Sequence, residues 1–97
     1  MKSILITLDI SHKETIINML EHNNCRGFSF LDQVQGRGSK SGEPHYGSHA
    51  WPSMNGAIIA VVDDNKVDKI LSEIKNIDEE TPQLGLRAFV WNIEKAY

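Results

Sequence analysis

The sequence predicts an α+β fold in which four strands and two helices follow the order βαββαβ. Three observations carry that expectation. Four short segments are rich in branched apolar residues, two stretches place apolar residues at helical spacing, and a long polar run separates the second strand from the third. With 97 residues, 40% of them hydrophobic and 24% charged, the chain has the length and composition of one globular domain, spanning 1–97.

Ser3–Leu8 (SILITL) reads as a buried first strand. Ser11-His12-Lys13-Glu14 fits a capping box, with the Ser11 hydroxyl taking the Glu14 amide at the start of a helix. Ile16, Met19, Leu20 and Asn23 fall on one face of that helix, and Asn23-Asn24 and Gly27 end it. Phe28–Gln35 is the second strand, with Phe28, Phe30 and Asp32 on one face and Ser29 and Leu31 on the other. Its alternation slips between Leu31 and Val34, the mark of a bulge.

Gly56–Val62 (GAIIAVV) is apolar on both faces, so it should be central. Asp63-Asp64-Asn65 offer caps and negative charge at the start of the second helix. Val67, Ile70, Leu71, Ile74 and Ile77 form its apolar stripe, and Glu79-Glu80-Thr81-Pro82 closes it. Leu86–Ile93 is the last strand, with Phe89, Trp91 and Ile93 on one face. Right-handed crossovers place both helices on one side of an antiparallel sheet, which is the ferredoxin-like sandwich. The other sheet face is also apolar and must be buried elsewhere, most simply against copies of the chain.

The net charge of −3 and the scattered basic residues argue against a nucleic-acid partner. One cysteine, Cys25, excludes an internal disulfide and suits a reducing cytoplasm. Met1–Ile10 lacks a cleavage site for a secretory signal, and the longest apolar run, Ala57–Val62, is too short for membrane insertion, so a cytoplasmic location is expected. Nothing forms a serine–histidine–acid set, a P-loop or a paired carboxylate, so no enzyme activity is expected.

The run from Gly36 to Asn55 exceeds the length of a hairpin connection and holds four of the 7 glycines. Gly36-Arg37-Gly38 can turn successive amides toward an anion, with Arg37 or Lys40 adding charge; equally, it can be a glycine hinge. Glu43, His45 and His49 carry the ligand types of a divalent metal site, but the same histidines suit a solvated loop. Trp51 can anchor the loop on a partner or pack into an interface, and Tyr46 offers a further contact or modification point.

Three stretches resemble the PII signalling family. Arg26-Gly27-Phe28-Ser29 leading to Val34-Gln35-Gly36-Arg37-Gly38-Ser39-Lys40-Ser41-Gly42 looks like its second strand and the root of its T-loop. Ala60-Val61-Val62-Asp63-Asp64 resembles the junction into its second helix, and Ala88-Phe89-Val90 its last core strand. The resemblance implies a homotrimer with nucleotide clefts between neighbours. It implies an effector such as ATP, ADP or AMP, and regulation of a transporter or enzyme through loop 36–55. It also places Arg87 at the cleft, as a phosphate ligand or as a strand residue in a salt bridge. Ser39 and Lys40 stand where the family usually carries arginine and glutamine, and Thr81–Arg87 has one glycine where the family has a glycine-rich loop. A protonated lysine cannot coordinate a metal, which speaks against 2-oxoglutarate sensing. The alternative reading is a metal-responsive PII-like or cation-tolerance-type protein using the loop histidines.

Overall fold

A computed structural model of the chain describes residues 1–35 and 55–97. The elements are β1 (Lys2–Asp9), α1 (Lys13–His22), β2 (Phe28–Val34), β3 (Asn55–Val62), α2 (Val67–Glu80) and β4 (Arg87–Asn92), with short 3-10 turns before α1, before α2 and before β4. The order is the expected βαββαβ, and the architecture is the expected α+β, ferredoxin-like arrangement.

The sheet runs β2-β3-β1-β4. β1 is central and antiparallel to both neighbours, from Lys2↔Val62 to Asp9↔Asn55 on one side and from Lys2↔Asn92 to Thr7↔Arg87 on the other. β2 pairs with β3 from Phe28↔Ala60 to Leu31↔Ala57, then shifts register before Val34↔Asn55. Gln33 sits at φ 56° in that shift, which is the bulge that the broken alternation predicted.

The helices cover one face. Ile4, Ile6 and Leu8 of β1, Ile58, Ala60 and Val62 of β3, Ile16, Met19 and Leu20 of α1, and Ile70 and Ile74 of α2 form one buried cluster. This is what the two periodicities dictate, period two on the strands and i, i+3, i+4 on the helices. Phe28 and Phe30 pack against the same cluster, and the Lys13 ammonium lies 4.4 Å from the Phe30 ring centre.

The other face is open. Leu31, Ile59, Val61, Phe89 and Trp91 all lie on it and are exposed, Phe89 at 55% and Trp91 at 48%. Register aligns them in rows, Ile59–Leu5–Phe89 and Val61–Ser3–Trp91, across three strands.

Several local expectations change. Ser11 does not cap α1. Asp9 accepts from the Ser11 amide at 2.9 Å and from the Ser11 hydroxyl at 2.6 Å, and a 3-10 turn carries the chain to Lys13. A carboxylate is the stronger acceptor, so it takes both donors and holds the Ser11 side chain in its own turn, one residue before the helix cap at His12. Asp63 and Asp64 give no side-chain cap to the turn before α2. Asp64 instead accepts from the Met1 amine at 2.6 Å, which holds its carboxyl below the usual range. Asn24, at φ 57°, makes the left-handed stop after α1, and the Cys25 amide donates to Leu20 O at 2.8 Å. Asn55 opens β3 and does not belong to the preceding loop.

Candidate functional site

The sheet has two ends, and they differ chemically. At one end β3 begins at Asn55 beside the end of β1, Asp9, and β4 begins at Arg87 beside Thr7. Gln35 and Asn55 flank segment 36–54, so that segment leaves and re-enters the fold at this end. The turn after β1 and the turn before β4 meet here too: His12 Nε2 lies 3.0 Å from Thr81 Oγ1.

Polar groups are buried at this end. Asp9 and Asn55 are 5% exposed and His12 9%. His12 Nδ1, Asn55 Oδ1 and Asp78 Oδ1 find no hydrogen-bond partner among the described residues. Buried polar atoms are paired in the great majority of cases, so this end of the sheet differs from the apolar packing of the core. The sequence-based expectations give no site role to Asp9, Asn55 or Asp78. The available signal was positional: an aspartate ends one apolar strand and an asparagine begins another, directly opposite it.

Arg87 is the one expected binding residue among those described. Its Nη1 donates to Asp78 Oδ2 at 3.2 Å and to Leu86 O at 2.7 Å. The segment before it is tightly held. The Thr81 amide donates to Asp78 O at 3.1 Å, and Gly85, at φ 70°, sends its amide to Pro82 O at 3.3 Å. Glycine is the residue for that left-handed position. Gly36, Arg37, Gly38, Lys40, Glu43, His45, Tyr46, His49 and Trp51 lie outside the described residues. Among the described residues no group of three histidine, cysteine or acidic side chains could hold a metal.

The opposite end carries a cavity of about 250 Å³ lined by Asn24, Cys25, Arg26, Asp63 and Lys66, among others. Burial pushes the Cys25 thiol above its ordinary range, with Lys66 working against the shift and Asp63 adding to it. A raised thiol is a poor nucleophile, which fits the place of Cys25 in the buried core cluster. No described helix is long and apolar enough to cross a membrane.

The sequence model of the family described as "Nitrogen regulatory protein P-II" matches residues 1–97. No curated protein sequence matches the chain. Among solved structures, CPII from Thiomonas intermedia K12, bound to ADP, AMP and acetate, superposes with a TM-score of 0.79 at 22% identity, over 99% of this chain and 88% of that one. CPII bound to ADP, AMP and bicarbonate gives 0.77 at 22% identity, over 99% and 92%. A candidate PII-like signalling protein from Thermus thermophilus gives 0.67 at 16% identity, over 95% and 84%. At these identities the likeness is one of fold. The match along the full sequence goes further, and with it the chain belongs to the nitrogen regulatory protein P-II family.

Proposed function

We propose that the chain, as one domain over 1–97, is a homotrimeric regulator that binds an adenine nucleotide between subunits and acts on a target protein through loop 36–54. The observation that carries this reading is the P-II family match over residues 1–97. Two further observations support it. CPII, which shares the fold, was solved with ADP and AMP. The exposed row of Ile59, Val61, Phe89 and Trp91 gives each subunit a large apolar face to bury against its copies.

In this reading the end of the sheet bearing Arg87, Asp9 and Asn55 faces the effector. Arg87 and the amides of Gly36 and Gly38 take the phosphates, with Arg37 and Lys40 adding positive charge. Affinity is then linked to loop conformation, and loop conformation decides whether Tyr46 and Trp51 meet the target, a transporter or an enzyme. The protein is a regulator and not a catalyst, working in the cytoplasm, where the free thiol of Cys25 suits a reducing medium.

Calorimetric titration with ATP, ADP and AMP tests the proposal. Saturable heat with at least one of them is expected, at a stoichiometry of one per chain. No heat with any of the three removes the nucleotide from the account.

A further inference from the structure

We infer that Asp78 is a built-in competitor for the anion that Arg87 takes, holding the guanidinium back until a ligand displaces the carboxylate. The inference rests on the reading of Arg87 given above and adds a control to it.

Strand parity puts Arg87 on the open face with Phe89 and Trp91, since residues two apart share a face. Its guanidinium nevertheless bonds Asp78, on the helix that covers the other face. The ion pair therefore draws the cation around the edge of β4. Both of its contacts among the described residues, to Asp78 Oδ2 and to Leu86 O, use Nη1, so among those residues the fork is engaged through one nitrogen. A phosphate offers two oxygens in the geometry of the whole fork and carries more charge than one carboxylate, so it can outcompete Asp78.

The carboxylate is also badly placed for helix stability. The last turn of α2 contains Asp78, Glu79 and Glu80 and no basic residue, at the negative end of the helix dipole. Asp78 Oδ1 is buried without a hydrogen-bond partner among the described residues. Arg87 is the counter-ion that makes this position tolerable, and the ligand must take it away. Effector affinity is thus lower than the contacts alone would give, and Asp78 sets the threshold.

ADP titration of the full chain and a set of variants tests this. Asp78→Asn is expected to bind about three- to fivefold more tightly than the parent, the factor that releasing a partly exposed ion pair is worth. Glu79→Gln removes the same charge one residue away and is expected to change affinity by less. In an Arg87→Gln background, adding Asp78→Asn is expected to change nothing. Asp78→Ser serves as a second neutral variant, and melting curves check that each protein folds. Unchanged or weaker binding by both neutral variants overturns the inference, as does an equal gain in Glu79→Gln or a gain that persists without Arg87. If the parent binds ADP and both neutral variants behave like it, only this inference falls. If neither the parent nor any variant binds, the nucleotide reading falls and this inference falls with it.

Discussion

The imidazole of His12 and the hydroxyl of Thr81 meet at 3.0 Å, joining the turn after β1 to the end of α2 across 69 positions of sequence. The contact pins the segment leading to Arg87 against the end of the sheet where segment 36–54 is rooted. His12 is 9% exposed and its other nitrogen has no partner among the described residues, so this is its one side-chain hydrogen bond there.

Thr81→Val keeps the shape of the side chain and removes that partner. It should cost about 1–2 kcal/mol, the value of leaving a buried polar group unpaired. Urea unfolding should show a lower midpoint with an unchanged slope. A midpoint equal to the parent's would mean that solvent replaces the hydroxyl.

Gly56 tests the packing between β2 and β3. A Cβ built there would lie 2.9 Å from two atoms of the Phe30 ring and 3.2 Å from Leu31 O. The ring can give way, but the carbonyl is backbone next to the bulge. Gly56→Ala should therefore destabilise the fold by about 1–3 kcal/mol, the usual cost of overpacking. Pairing it with Phe30→Leu should recover part of the loss.

The buried thiol of Cys25 gives a pH dependence of definite sign. Its folded pKa is raised by burial, so the folded state holds the proton more tightly than the unfolded chain does. That contribution is fully present below the unfolded thiol value of about 8.5 and is lost as pH rises through the folded value. Stability should decline in this alkaline window, and the decline should be shallower in Cys25→Ala. Alkylation of the native thiol at about pH 8 should be slow, and fast after denaturation.

Phe89→Glu and Trp91→Glu place charge on the open sheet face. Both residues are about half exposed in the single chain, so neither change should unfold it. Both should break the assembly, because an unpaired charge is costly to bury in an apolar interface. Circular dichroism together with sedimentation separates the two effects: folded but dissociated protein is the expected outcome.

Long-range order was legible wherever periodicity was strong. The stripe of Val67, Ile70, Leu71, Ile74 and Ile77 gave α2, and the slip at Leu31–Val34 gave the bulge. Exposure of Phe89 and Trp91 follows from the same alternation that predicted a second apolar face. Local polar contacts were much less legible. The sequence pattern points to Ser11 as the cap, whereas in the structure Asp9, two positions earlier, accepts from the Ser11 amide and hydroxyl. Asp78 is one acid beside two others, Glu79 and Glu80, at the end of a helix. Its pairing with Arg87 depends on how α2 and β4 meet in three dimensions, which no spacing rule encodes.

The mass of the assembly in solution tests the account most directly, since both the effector clefts and the burial of Ile59, Val61, Phe89 and Trp91 depend on it. Multi-angle light scattering on the purified chain at micromolar concentration should give the mass of three chains. A monomer would leave the apolar face unexplained and the clefts unbuilt. A dimer would contradict the trimeric regulator.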